Sequence, residues 1–442
     1  MARHFIAALG TTSYKDTIYY YEDFEHKSAY VQESLCNLIF QDKQDGDKIT
    51  ILLTKEAREE NWLARKGHED KLGLKEILEN DFSHCDIEPL EIPTGDDKEE
   101  LDMIFDIVFD CIEEKDEIYF DTTHCLRHLP IFILSVLYYA RVLKDINISS
   151  IYYGAFQKRT EGKENELSRS PIFDLIEYIH ILDWSMAAQM FIEYGNANMM
   201  NDVYNDQKAK TDNETKRMLA PVGKTVKSLM HFTNCIQTSR GKNLRNAGGK
   251  EEASIDSAYK AFNKNYQNMS KQDQKAIKPL KPLFGKVLDS TKEFDVKTNL
   301  GTGLATVQWC IDKGFTQQGL TALEETIKTF VCLKYGLSET SKDCREKIAK
   351  RALNLRNYDK RNKVKGSKAS KAENEYTEDV KKVYNGLSDE VVDISHKVSE
   401  ARNNINHFGF NPNVFKYKNL QKKLEKCFEE FKVIIEKEQI NL

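Results

Sequence analysis

Near its C-terminus the chain reads Arg402-Asn403-Asn404-Ile405-Asn406-His407. An imidazole moves protons near neutral pH, and a guanidinium stabilises a charged phosphorane. Set about a phosphodiester, the pair could drive attack of a ribose 2′-oxygen on the adjacent phosphorus. That reaction needs no metal, leaves a 2′,3′-cyclic phosphate and cannot act on DNA, which lacks the nucleophile. As a bare string Arg-x4-His carries little weight, since composition alone gives roughly 0.3 matches by chance. Standing alone, it reads better as an ordinary polar helix end, so its setting must decide.

That setting is a helix. Val391, Ile394, Val398, Ala401, Ile405 and Phe408 recur at three- and four-residue spacing and define its buried face, with Gly409 and Pro412 as stop signals. At 100° per residue, Arg402 and His407 are splayed by about 140°. One helix therefore makes a simple site only if its last turn unwinds. A second copy across a two-fold axis would instead supply a composite site with two arginines and two histidines. A histidine in a final helical turn also feels the negative end of the dipole.

Two further segments have nucleotide-binding chemistry. Gly10-Thr11-Thr12-Ser13 follows an apolar strand and offers small residues and hydroxyls. Asp121-Thr122-Thr123-His124-Cys125-Leu126-Arg127-His128 follows another and precedes a long apolar helix, whose N-terminus attracts anions, with Arg127 as a phosphate fork. The plainer reading of Asp121 and Thr122 is helix capping, and a lone His124 or His128 is more often structural than catalytic. The first segment is neither G-x-G-x-x-G nor a Walker loop, so dinucleotide-cofactor and ATPase readings are disfavoured.

The elements that must position these residues alternate through the first 156 positions. Strands are expected at Phe5–Leu9, Ile49–Thr54, Ile87–Ile92, Ile118–Phe120 and Ile148–Phe156. Helices fit between them at Ser28–Phe40, Leu72–Glu79, Lys98–Glu113 and Leu126–Leu143. This βαβ order predicts a Rossmann-like, mostly parallel sheet with ligands outside the strand C-termini at the switch point. Beyond about Pro171 the strands cease. Helices are expected at Ile172–Tyr194, Lys216–Thr238, Ser254–Tyr266, Gly303–Tyr335 and Asp389–His407, with polar interruptions at 196–214, 239–253 and 357–378. The last holds the basic run from Lys360 to Lys368, more often a solvated loop than a substrate-steering one.

At 442 residues, two or three domains are expected. No apolar run spans a bilayer, and the N-terminus reads as a strand rather than a secretory signal, which predicts a cytoplasmic protein. Nine scattered cysteines without a C-x-x-C imply neither disulfide nor zinc. The net charge of −5 argues against coating DNA but allows a local cationic groove.

Together, Phe5-Ile6-Ala7-Ala8-Leu9-Gly10-Thr11-Thr12, the Asp121–Arg127 segment, Trp309 to Leu320, and Arg402…His407 resemble the CRISPR-associated Csx1/Csm6 ribonucleases, which couple a CARF domain to a HEPN domain. Cys125 departs from the glycine common there. The resemblance implies an α/β then all-α chain: a CARF domain over 1–170, a helical linker or insertion over 171–300, and a HEPN ribonuclease domain over 301–442, or from about 180. It implies a homodimer or higher oligomer, activated by a cyclic oligoadenylate, the tetra-adenylate favoured over the hexa-adenylate, that cuts single-stranded RNA. Membrane and DNA are not expected partners, and neither cofactor nor metal is implied.

Arg402 and His407 would be catalytic, with Asn403 and Asn406 helping to position the phosphate or the pair. Gly10, Thr11, Thr12, Ser13, Asp121, Thr122, Thr123, His124 and Arg127 would line the activator pocket. Two alternatives stay open: a ligand-sensing adaptor with a non-catalytic helical effector domain, and an additional ring-nuclease activity in the CARF domain.

Overall fold

The computed structural model describes residues 2–124, 128–156, 167–241, 254–362, 378–410 and 414–439. Chain contacts divide it into two units, Met1–Ile179 and His180–Leu442.

In the first unit, the apolar runs expected as strands form β1 (Arg3–Ala8), β4 (Lys48–Leu53), β7 (Asp86–Glu91), β8 (Glu117–Asp121) and β9 (Asn147–Gly154). They pair in parallel in the order β9-β8-β1-β4-β7. Along β1 the alternation of strand side chains sends Phe5 and Ala7 into one core and Ile6 and Ala8 into another. A strand buried on both faces reads as a continuous apolar run, which is why β1 and β4 were the plainest in the sequence. Helices α1 (Val31–Ile39) and α2 (Leu74–Asp81) cover the first face; α3 (Lys98–Cys111) and α4 (Leu129–Leu143) cover the second.

Three further strands extend this sheet to β3-β2-β10-β9-β8-β1-β4-β7. The hairpin β2 (Thr17–Tyr21) and β3 (Phe24–Ser28) and the strand β10 (Ser168–Asp174) were not expected. Strands therefore do not cease at Pro171, which lies inside β10. A small two-stranded sheet, β5 (Ala64–Arg65) with β6 (His68–Leu72), stands apart.

The second unit is helical and holds two cores. The first packs α5 (Ile176–Tyr194), α6 (Asn198–Lys210), α7 (Ala220–Gln237), α8 (Ile255–Ser270) and α9 (Leu280–Ser290) around Trp184, Phe232, Phe262 and Phe284. The expected polar interruption at 196–214 is thus mostly helix, anchored by buried Met200 and Tyr204. The second core gathers α11 (Thr316–Lys334), α12 (Lys350–Arg361), α13 (Glu378–Gly386), α14 (Asp389–Asn406) and α15 (Tyr417–Lys437). Helix α10 (Asn299–Asp312) belongs to both, giving Trp309 and Cys310 to the first and Leu300 and Val307 to the second.

The single segment expected over Gly303–Tyr335 is instead a helix pair broken at Gly314, whose φ of +73° suits glycine. Gly303 lets α10 approach α11 so closely that an added Cβ would collide with Thr326 Oγ1. Gly303→Val is expected to lower stability by about 1–3 kcal/mol through overpacking, read as a drop in thermal midpoint.

Part of the α5 surface stays uncovered: Leu182, Met186 and Met190 share a sector of about 80°, Tyr178 and Tyr194 lie at its two edges, and each of the five is 40–66% exposed. Among the described residues no helix is long and apolar enough to cross a membrane.

Candidate functional site

The register Ala7↔Asp121 sets the loop after β1 beside the loop after β8. This is the switch point, since β4 and β7 lie on one side of β1 while β8 and β9 lie on the other. Thr11, Thr12 and Ser13 are exposed there and Gly10 is half-buried.

The loop is held by residues that sequence reasoning missed. The Asn61 amide donates to the Gly10 and Thr12 carbonyls at 2.9 and 3.0 Å. The Lys66 ammonium donates to the Thr11 carbonyl, and the Gly10 amide donates to the Tyr14 hydroxyl. Tyr14 also packs edge-on against His124, with ring centroids 4.8 Å apart. Nothing in the local pattern marks these residues, because Asn61 lies 51 positions from the loop it clamps.

The Asp121 segment does not act as a helix cap. Helix α4 starts at Leu129 with His128 as its N-cap, and His128 provides no side-chain cap. The Asp121 carboxylate instead accepts from the Thr123 amide and hydroxyl. Thr123 Oγ1 also accepts from the Gly154 amide, and Thr122 Oγ1 donates to the Tyr152 carbonyl. Both hydroxyls thus tie the loop after β8 to β9. Arg127 and Cys125 lie outside the described residues.

Burial pushes the Asp121 carboxyl up to about 6 and holds His124 down at about 4. His124 is therefore neutral at pH 7 and offers hydrogen bonds rather than charge. Its depressed pKa adds stability that is present above the unfolded value of 6.5 and lost as pH falls toward 4. The amount is at most about 3 kcal/mol. Asp121 has the opposite sign: its raised pKa favours the fold at low pH, and that contribution fades as pH rises through about 6. His124→Gln should lose less stability than wild type between pH 7 and 4.5, as urea midpoints would show.

In the second unit, α14 is capped by the Ser388 hydroxyl, which accepts from the Val391 amide. It buries Val391, Ile394, Val398 and Ala401 as expected. The last turn does not unwind: the helix continues through Asn406, and His407 is its C-cap with its amide on the Asn403 carbonyl at 3.0 Å. Phe408 leaves the expected buried face. It adopts φ +53° and is 89% exposed, as Phe410 is at 88%. Asn404 is buried instead, and its side-chain oxygen accepts from the Phe415 amide.

Arg402 and His407 are not brought together within the chain. Arg402 Nε lies 3.0 Å from Glu324 Oε2 on α11, and the Glu324 side chain is only 7% exposed. His407 and Asn403 face solvent, and Asn406 accepts from the Gln317 amide. Asn403 also opens onto a polar groove of about 360 Å³ between α12 and α14, lined by Asn354, Asn357, Arg361, Ser395, His396 and Ser399 among others. Arg361 Nη1 lies 3.0 Å from His396 Nε2.

Among the described residues one cluster has metal-ligand spacing: Asp47, His84 and Cys85 place ligand atoms within 4.8 Å of one another. Asp47 is already paired to the buried Arg3 guanidinium, which stands against a cation there.

Residues 4–157 match the family described as the CARF domain of the CRISPR system endoribonuclease Csx1, so the first unit is a CARF domain. Residues 180–296 match the second domain of CRISPR-associated protein MJ1674, which gives the region read as linker or insertion a counterpart. CRISPR-associated protein MJ1674 of Methanocaldococcus jannaschii is 26% identical over 275 residues, covering 61% of this chain and 38% of that protein. The chain thus spans about two fifths of that relative's length. Over these two stretches the chain is similar to CRISPR-associated CARF proteins of the Csx1/Csm6 type.

Proposed function

We infer that the chain is a cyclic oligoadenylate-activated, metal-independent endoribonuclease for single-stranded RNA, working as a homodimer. The observation that carries this reading is the solvent-facing His407 and Asn403 at the end of a helix whose opposite face is buried, in a chain that begins with a CARF domain. His407 would move the proton of the attacking 2′-hydroxyl, and Arg402 would stabilise the phosphorane. The exposed Thr11 and Thr12 would meet the activator, with His124 in its neutral form beside them.

The angular splay of Arg402 and His407 persists, so a composite site across a two-fold axis remains the arrangement that unites them. The uncovered α5 stripe supports such an axis. A two-fold axis at Met186 would set Leu182 of each copy against Met190 of the other, apolar on apolar. An activator bound across both copies would have to favour the active state by roughly 5.5 kcal/mol to move it from 1% to 99% populated.

A second reading, a sensor with a non-catalytic effector domain, is favoured by one observation: Glu324 already compensates the Arg402 charge. An RNA cleavage assay with cyclic tetra-adenylate, cyclic hexa-adenylate or neither separates the two. Cutting that appears only with an activator supports the ribonuclease. Activator binding with no cutting under any condition supports the sensor.

A further inference from the structure

The groove between α12 and α14 is a built polar site that the catalytic motif does not account for. On α14 its lining residues Val392, Ser395, His396, Ser399, Glu400, Asn403 and Asn404 follow three- and four-residue spacing, so they form one face. His407 continues that face, only about 20° around the helix axis from His396 and about 16 Å further along it. Arg402 sits at the edge of that face, its Nη2 donating to Asn403 Oδ1 at 3.2 Å while its Nε lies 3.0 Å from Glu324 Oε2 on α11. The groove is thus a track that leads to His407.

Its chemistry is that of a polynucleotide contact. Asn354, Asn357 and Asn403 present amides that both donate and accept, and Ser395 and Ser399 add hydroxyls. The charges around it are mostly spent. Lys360 pairs with Asp393 and Asp389, Arg356 with Asp389, and the lining carboxylate Glu400 with Lys423. Arg361 differs: among the described residues its recorded partner is an imidazole rather than a carboxylate. Burial and the neighbouring Arg361 lower the His396 pKa, so the ring is neutral and can accept from the guanidinium without cancelling its charge. A fork held by a neutral acceptor keeps its cation for an anion.

We propose that this groove is a subsite for the RNA strand flanking the scissile bond, with Arg361 bonding a backbone phosphate and the Asn and Ser side chains meeting bases and 2′-hydroxyls. It rests on the ribonuclease reading for its orientation toward His407. His396 is a positioning residue that sets the direction of the Arg361 fork. Contact of this kind positions the strand without dictating its sequence.

The test measures binding of a fluorescein-labelled single-stranded RNA to full-length His407→Ala protein with cyclic tetra-adenylate present, alongside the same chain carrying Arg361→Gln or Arg361→Lys. Arg361→Gln is expected to weaken binding about tenfold and to reduce the salt slope by about 1, with an intermediate loss for Arg361→Lys. Its thermal midpoint should match the parent, since Arg361 sits exposed at a helix end. An unchanged affinity and salt slope for Arg361→Gln overturns the subsite, even if the wild type cuts RNA. Arg361-dependent binding by a chain whose wild-type form never cuts RNA upholds the subsite and overturns the ribonuclease reading alone. No measurable RNA binding overturns the subsite.

Discussion

Replacing His407 with alanine is expected to reduce activator-dependent RNA cleavage by at least about 100-fold, the loss typical when a general acid or base is removed. The variant is a clean probe because the ring is exposed, and among the described residues no hydrogen bond to it is recorded. What His407 contributes to the fold is its backbone amide, bonded to Asn403, and alanine keeps that. Folding stability should therefore stay within about 0.5 kcal/mol of the parent, as for surface substitutions. Arg402→Ala is a poorer test, since it strips the buried Glu324 of its cation and would destabilise the fold as well. Cleavage that survives in His407→Ala with an unchanged dependence on activator would remove the motif from the mechanism.

The second large effect concerns assembly. Met186→Glu is expected to convert a dimer to a monomer, with the mass read by sedimentation or light scattering, and to abolish cleavage with it. Two-fold pairing of α5 about Met186 would set each new carboxylate against its own copy in an apolar seam. Like charges so placed cost several kcal/mol. The fold itself should tolerate the change, because Met186 is 40% exposed in the single chain. A Met186→Glu protein that remains dimeric would move the axis elsewhere, and a wild type that is active as a monomer would end the composite-site idea.

β1 and β4 were legible as apolar runs buried on both faces, and β7, β8 and β9 as shorter apolar stretches between helical patterns, whereas β2, β3 and β10 were not. The hairpin alternates buried and solvent-facing positions, and β10 carries a proline and polar residues that read as a boundary. Helix α6 was hidden for the same reason, as its polar text is held by two buried anchors. At the motif, the spacing placed the buried face of α14 correctly as far as Ala401. It then misassigned Phe408, whose left-handed backbone takes it off the helix. Glu324 could not have been found from the string, since it meets Arg402 from another helix 78 positions earlier. Arg361 was read as part of a basic loop, yet it closes α12 and faces α14.

The double membership of α10 has a thermodynamic consequence. Because one rigid helix supplies Trp309 to one core and Val307 to the other, neither core can melt without stripping the other of a wall. The helical unit should therefore behave as a single foldon, with one calorimetric transition and a shared set of slowest-exchanging amides along α10.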